Sequence, residues 1–327
     1  MANYEKTFKP IEDQISLLKK RELIFISEEN AEKVLSMYSY YDIINGYKDL
    51  FIESKCEDDR QELYKKGTTF EQIYELYLFD KELRNTVFAA LLDIEESIRA
   101  AVAYTISRDY GHMEKDYLQY KNYKAGKKYP DGSLAINQLF NKFNKIINDD
   151  VQPIKYYKEI HKNVPPWILT KGLTFGNVVT FIKLQKTKQK CDIYERIFGI
   201  PCSLLEKDEE IKKLLIESLF FLMSYRNWSG HGGRLYNHRS SKFKIPYHGL
   251  IHGKINVSEA EYNSGIGKSD MLALLGCSMI FVNKSPYNRI LNGIRFSIER
   301  YSEKFPQDRE SILNEMHISE ELLKNLI

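Results

Sequence analysis

The segment Tyr225-Arg226-Asn227-Trp228-Ser229-Gly230-His231-Gly232-Gly233 closes an apolar run, Ile211 to Met223, and then breaks on glycines. An arginine, an asparagine and a histidine therefore meet where a buried helix must stop. Rigid secondary structure positions such groups, and the glycines leave room for a ligand. The chemistry these types suit is cleavage of RNA without a metal. That reaction needs a base for the attacking 2′-hydroxyl, an acid for the leaving oxygen and a cation for the charged phosphorane. Histidine titrates near neutrality, and the arginine fork matches a phosphate. Asn227 can orient either one. A single histidine serves poorly as acid and base in one step, whereas two copies facing each other across a two-fold axis supply both. Residues spaced as Arg226 and His231 are point about 140° apart on an ideal helix. They converge only if the helix ends or bends near Ser229-Gly230. The pairing alone is weak, because a chain with seven histidines supplies about one such Arg/His spacing by chance. The competing reading is a helix C-terminus capped by cations that its dipole favours.

The elements that must hold this segment read as helices throughout. An amphipathic stretch over 8–25 carries Ile11, Ile15 and Leu18, and Ser27 to Asn30 has the look of a cap. Val34, Leu35, Tyr38, Tyr41, Ile44 and Tyr47 extend the helical spacing to about residue 52. A polar stretch, 53–67, reads as a loop. Thr69 then caps the longest periodic segment, with Leu83, Val87, Ala90, Leu91, Ile94, Ile98 and Val102 recurring at three and four. It runs to about Arg108. More helix is expected up to about His161. Pro165-Pro166-Trp167 starts another, with proline in the first turn. Gly172 to Gly176 is a break before a helix from Asn177 to about Gln185, and 204–224 is the buried helix leading into the motif. Residues 234–267 read as loop, and 269–283, 286–303 and 307–325 as helix. The architecture expected is all-α, with a helical segment over 1–68, a core over 69–246 holding the Arg/His motif, and a loop and helical extension over 247–327.

Composition narrows the function classes. The chain has 327 residues, 43% hydrophobic and 28% charged, as expected of a globular protein. Its net charge is only +3, so any nucleic-acid binding must come from local patches. The four cysteines, Cys56, Cys191, Cys202 and Cys277, lack metal or redox spacing and read as buried thiols of a reduced cytoplasm. The N-terminus has no apolar signal core, and no run is long enough to span a bilayer. A cytoplasmic protein away from membranes is expected.

Other residue groups carry weaker signals. Lys115, Lys121, Lys124, Lys127 and Lys128 alternate with Tyr117, Tyr120, Tyr123 and Tyr129. Lysines can meet phosphates while tyrosines stack on bases. A solvated loop whose tyrosines pack on the core fits equally well. Lys183, Lys186, Lys188 and Lys190 read as a solvated face. Between Leu219 and Ala260 only Glu259 is acidic, whereas Arg226, Arg234, Arg239, Lys242, Lys244, Lys254 and four histidines fall inside. A phosphate-bearing partner would account for that cationic stretch. Glu95 and Arg99, four apart on the long helix, can pair, in themselves an ordinary surface ion pair. Phosphate-loop, serine-hydrolase and zinc-protease signatures are missing. His248 and His252 are four apart, but Gly249 and Gly253 interrupt any helix and a third ligand is lacking, so no metal or other cofactor is expected.

Several stretches together resemble one family. They are Lys9-Pro10 to Gln14 with Leu17-Leu18 and Arg21-Glu22-Leu23; Tyr40-Tyr41 with Gly46-Tyr47; Phe79-Asp80 with Leu83-Arg84; Ile94-Glu95 with Ser97-Ile98-Arg99; Pro165-Pro166-Trp167; Leu173-Thr174-Phe175-Gly176; and Arg226-Asn227 with His231. In this order they resemble the Abi-like (AbiD/AbiF) family of bacterial abortive-infection proteins, a branch of the HEPN superfamily of all-α ribonucleases. The resemblance covers about residues 9–240. It implies a HEPN-like helical bundle and makes Arg226, Asn227 and His231 the catalytic motif, with Arg226 on the phosphate and His231 moving protons. Glu95, supported by Arg99, matches the family's acidic position on the long helix. The resemblance further implies a homodimer, a toxin-like role in phage defence, and control by a partner RNA or protein. Residues 247–267 have no counterpart.

Three readings follow. The first is a metal-independent endoribonuclease. The second is a non-catalytic module of a defence or toxin–antitoxin system that holds a structured RNA. In either, RNA contacts are expected from Lys121, Lys124, Lys127, Lys128, Arg234, His238, Arg239 and Lys242. The third is a protein–protein regulator in which the motif is only a helix cap.

Overall fold

Thr69 accepts the amide of Gln72 and starts a helix of 41 residues, Phe70–Tyr110, about which the other elements are arranged. At 1.5 Å per residue it is about 60 Å long. Its apolar residues are not confined to one stripe, and a helix apolar on several sides must be covered on several sides. The computed structural model describes residues 8–53 and 62–325. In chain order the helices are α1 (Ile11–Lys20), α2 (Glu28–Met37), α3 (Phe70–Tyr110), α4 (Glu114–Tyr117), α5 (Ala135–Ile147), α6 (Ile154–His161), α7 (Pro166–Gly172), α8 (Phe175–Lys183), α9 (Thr187–Phe198), α10 (Cys202–Leu205), α11 (Glu209–Gly230), α12 (Gly249–His252), α13 (Glu259–Ser264), α14 (Met271–Met279), α15 (Ser285–Lys304), α16 (Arg309–Met316) and α17 (Glu320–Asn325). Among the described residues, β-structure is limited to isolated bridges, and the fold is all-α. No described helix is long and apolar enough to cross a membrane.

Helices α7, α8, α9, α11 and α15 pack directly on α3. Buried residues from Ile15 to Leu323 form one cluster, so the first and last helices share a core with the central ones. The closest partner is α15. Gly293 brings it so near that a Cβ there would lie 2.5 Å from Thr86 Cγ2. Ion pairs Arg289–Asp93 (3.1 Å), Arg300–Glu82 and Lys304–Glu75 (2.5 Å) flank the seam.

Helix starts read from sequence are present: Ser27 accepts the Asn30 amide and Pro166 opens α7, whereas α8 starts at Phe175 rather than Asn177, because Thr174 caps it by accepting the Asn177 amide. Other expectations are corrected. The first helix stops at Lys20 rather than 25, because Glu22 takes a left-handed φ of 66° and Leu23 turns into the core. Helix does not continue from Val34 to residue 52. It ends at Met37, Tyr38 is extended and packs on Tyr74 and Tyr77, and helix resumes only as a short π-helix, Tyr41–Asn45, and a 3-10 helix, Lys48–Phe51. In the basic run 183–190, Lys183, Lys186 and Lys188 are solvated as expected and Lys190 is half-buried, but the run also holds a helix start that sequence alone does not place. Its second half opens α9, which buries Cys191, Ile193, Tyr194, Ile197 and Phe198. The motif helix starts at Glu209, capped by Asp208, because Cys202–Leu205 forms a separate turn. Cys191 and Cys277 are buried as expected. Cys202 is only half-buried: its thiol donates to Glu195 (3.0 Å), and burial together with that carboxylate pushes its pKa up to about 12. Cys56 lies outside the described residues.

Candidate active site

The motif helix does not break before its polar residues. α11 runs through Arg226, Asn227 and Trp228 to Gly230, and His231 is its C-cap, with its amide bonded to the Asn227 carbonyl at 3.0 Å. Gly232 follows at φ 76°, a left-handed turn that suits glycine. The helix end is pinned from within by Tyr225. Its fully buried hydroxyl lies 3.1 Å from the His238 carbonyl and 3.0 Å from that of Ser269.

Arg226 turns inward. Its Nε lies 3.2 Å from Glu95 Oε2 on α3, an ion contact without hydrogen-bond alignment. Its guanidinium sits over the Phe88 ring at 5.6 Å, and Nη1 donates to Asn227 Oδ1 at 3.3 Å. Glu95 also accepts from Arg99 Nη2, which donates in turn to the Leu173 carbonyl at 2.6 Å. The Glu95–Arg99 pair is therefore not an ordinary surface pair, since the Glu95 side chain is only 1% exposed. A carboxylate this deep is tolerable because two guanidinium groups compensate it. The sum matters for function. Two positive charges share one negative charge, and the arginine side chains remain 24% and 29% exposed. The cluster keeps a net positive charge at its open edge, fixed in orientation by the carboxylate behind it, as an anion site requires.

His231 is exposed, and among the described residues nothing is bonded to its ring. Nor does any hydrogen bond or ion pair among those residues join it to Arg226. The structure thus brings Arg226, Glu95, Arg99 and Asn227 together and leaves the His231 side chain exposed at the C-cap of the same helix.

A second acid, which the sequence showed only as a family landmark, holds the loop after the motif. Asp80 is fully buried on α3. It accepts from the Tyr47 hydroxyl (2.7 Å), the Leu235 amide (2.9 Å) and the Tyr236 amide (2.7 Å). Burial pushes its pKa upward, while these donors and Arg84 pull it down. Arg84, one turn on, contacts Asp80 at 3.3 Å and reaches the Gly232 and Gly233 carbonyls at 3.4 Å each. Arg234 crosses to the Gly46 carbonyl and to Asp49 (3.2 Å). Gly176 faces Met223 so closely that a Cβ would lie 2.9 Å from its sulfur. The landmarks Gly46-Tyr47, Asp80 and Arg84 hold the loop after α11, and Glu95, Arg99, Leu173 and Gly176 lie against its last turns. The signal available in sequence was an acid, Asp80, set among Leu76, Phe79, Leu83 and Val87 with an arginine four residues later.

The residues expected to bind RNA fall into two groups. Lys121, Lys124, Lys127 and Lys128 are exposed. Their segment follows the end of α3, about 20 Å along that helix from Glu95. Of the tyrosines between them, Tyr117 and Tyr123 follow the core-packed alternative and are not free for bases, whereas Tyr120 is 52% exposed. Tyr117 and Tyr123 are buried, with hydroxyls on the Val164 and Tyr117 carbonyls at 2.6 Å. Tyr120 packs on Phe140 at 4.4 Å, and Tyr129 lies under Lys127. Nearer the motif, Arg234 is engaged as described and Arg239 donates to the Glu315 carbonyl at 2.6 Å. His238 stacks on Trp228 at 4.4 Å, and burial together with Arg239 pushes its pKa down to about 4, so it is uncharged at neutral pH. Lys242 is exposed. The cationic stretch thus partly pairs with groups from distant elements. His252 is fully buried, with Nε2 3.0 Å from the Gly267 carbonyl and Nδ1 3.1 Å from the His248 amide, so both nitrogens serve the main chain.

Fold and site together define an all-α protein with an arginine fixed over a buried carboxylate and an unbonded histidine at the same helix end. The model of one family, described as Abi-like protein, matches residues 33–237, and the chain belongs to that family. Membership ties it to abortive infection, a form of phage defence. Comparison with curated proteins and with solved structures gave no match.

Proposed function

We propose that this protein is a metal-independent endoribonuclease of the HEPN type, deployed in phage defence and acting as a homodimer, with RNA as substrate and a partner RNA as its controller. The observation that carries this is the contrast between its two key side chains. Arg226 is locked by Glu95 with a surplus of positive charge, and His231 is exposed and unbonded. A phosphate bound on Arg226 and Arg99 would have its developing charge stabilised by groups already oriented. His231 is free to take the 2′-hydroxyl proton as that oxygen attacks phosphorus. A second His231, from the other subunit, would give a proton to the departing 5′-oxygen. The products are a 2′,3′-cyclic phosphate and a 5′-hydroxyl end. Asn227, on the Arg226 fork, sets its rotation.

The test is incubation of the full chain with RNA in the presence of EDTA, reading end chemistry. Arg226→Ala and His231→Ala are each expected to lose about 100-fold or more of the cleavage, the typical worth of such groups. His231→Ala should melt like the parent, since its ring is exposed. Cleavage at parental rate by both variants overturns the assignment. RNA binding without cleavage by the parent, unchanged in His231→Ala, would favour the non-catalytic RNA-binding module.

A further inference from the structure

Phe220 lies two turns before Asn227 on α11, so the two share a face of that helix. The Phe220 ring stacks on that of Phe243, from the loop after the motif, with centroids 5.7 Å apart and planes within 4° of parallel. Both rings are half-buried. Lys183, from the end of α8, places Nζ 5.8 Å from the Phe220 centroid, and Lys242 places Nζ 5.2 Å from that of Phe243. Among the described residues neither ammonium pairs with a carboxylate. Glu217, one turn before Phe220, already faces Lys213 at 4.0 Å. Beyond Phe243 the surface continues with exposed Lys244 and Tyr247, and with Lys268 over the Tyr262 ring at 4.7 Å.

We propose that Phe220, Phe243, Lys183 and Lys242 form a track for single-stranded RNA leading to Arg226 and His231. The proposal rests on the reading of that site as one for RNA. A parallel aromatic pair with unpaired ammonium groups at its faces offers an unstacked base a π surface and its phosphates a cation. That combination binds single strands whatever their sequence. In the free protein the ammonium groups lie over the rings, a contact worth little at an exposed site. When a base arrives the ammonium groups swing to the flanking phosphates and release counterions. Bases in a duplex are already stacked on each other and cannot use the rings, so the track selects an open strand. The near absence of carboxylates between Leu219 and Ala260 removes the repulsion that would otherwise oppose a phosphate chain along this path.

The test uses the full chain carrying His231→Ala, so that binding is read without cleavage, and fluorescein-labelled oligoadenylates of increasing length. Phe220→Leu with Phe243→Leu keeps apolar packing and removes the rings. It is expected to weaken binding of the longer oligomers about tenfold or more while leaving the melting temperature and oligomeric state unchanged. Lys183→Ala with Lys242→Ala should flatten the dependence of log affinity on log salt by about 1.4, at about 0.7 for each phosphate that a lysine no longer neutralises. Unchanged affinity in both variants overturns the track, as does failure of the His231→Ala protein to bind any of the oligomers. Loss of the dimer in the leucine variant, with RNA affinity retained, assigns the surface to protein contact and overturns it equally. Cleavage by otherwise parental protein is scored separately, so the track can fail while the nuclease reading stands.

Discussion

Glu95 decides whether Arg226 is a fixed cation or a mobile one. Glu95→Ala leaves two guanidinium groups facing a void without their shared counter-charge. Breaking a buried ion pair in this way costs about 3 kcal/mol, toward the low end because both arginines keep some access to water. Urea unfolding of Glu95→Ala against the parent checks this, and a loss below about 1 kcal/mol would show that the cluster is not held by charge. RNA cleavage should fall with it, since the fork loses its orientation. Glu95→Gln should lose less stability, because an amide can still accept from Arg99. His238 gives a prediction in pH. Its folded pKa, about 4, lies below the ordinary 6.5. The unfolded chain therefore binds the proton more readily, and the stability that depends on a neutral His238 is present above 6.5. It is lost as pH falls from 6.5 toward 4. Melting curves across that window should show a steeper acid loss in the parent than in His238→Phe, which keeps the stack on Trp228 without a titrating nitrogen. Equal slopes would remove His238 from the account.

Among the elements, the loop from Gly232 to Tyr236 depends on α3 more than on its own sequence. Asp80 accepts two of its amides, and Arg84 holds two of its carbonyls. Asp80→Ala orphans the Leu235 and Tyr236 amides and the Tyr47 hydroxyl together, a loss of about 3 kcal/mol or more at buried donors of this kind. The local signature is faster hydrogen exchange at the Leu235 and Tyr236 amides, with α3 itself still protected. Uniform exchange across the chain would mean that Asp80 supports the whole core and not this loop. This brace marks the limit of what was legible in the sequence. Thr69 and Ser27 announced their helices because a cap acts on residues three positions away, and Pro166 did so because its fixed φ suits a first turn. Periodicity revealed α3 and the last helices because their buried faces repeat locally. Arg226 and His231 were legible by type, and Glu95 with Arg99 by spacing. What could not be read was partnership over long separations: Asp80 with Leu235, Arg234 with Gly46, Arg239 with Glu315. α9 was hidden because its lysines lie on the outer side of residues such as Cys191, Tyr194 and Ile197. The choice between stacking and core packing for the tyrosines at 117 and 123 stayed open in the sequence because the carbonyls that bind their hydroxyls, those of Val164 and Tyr117, are fixed only by the fold.

At the scale of the whole molecule, the segment after residue 246 is joined at several points to the motif and to the helix that carries Glu95. Ser269 supplies a carbonyl to Tyr225, at the root of the motif, and α15 lies along α3 with Gly293 against Thr86. A chain ending at residue 268 lacks Ser269 and strips α3 of its closest neighbour. It should not fold independently, as read by lost near-ultraviolet circular dichroism and a broadened melt; a cooperative melt of that shortened chain would show it to be self-sufficient. The seam itself can be tested more gently. A methyl group at Gly293 falls 2.5 Å from Thr86 Cγ2 and 3.1 Å from Thr86 Cβ, so Gly293→Ala must push α15 outward or force Thr86 off its rotamer. Overpacking of this kind costs about 1–3 kcal/mol. Thr86→Ala removes the nearer of the two atoms and should return part of that loss when combined with Gly293→Ala. The two changes should therefore be non-additive by about 0.5 kcal/mol or more, as expected for side chains that touch. Strict additivity would place α15 farther from α3 than the packing of Gly293 requires, and Arg226 would then be held by Glu95 and Phe88 on α3 without support from the C-terminal helices.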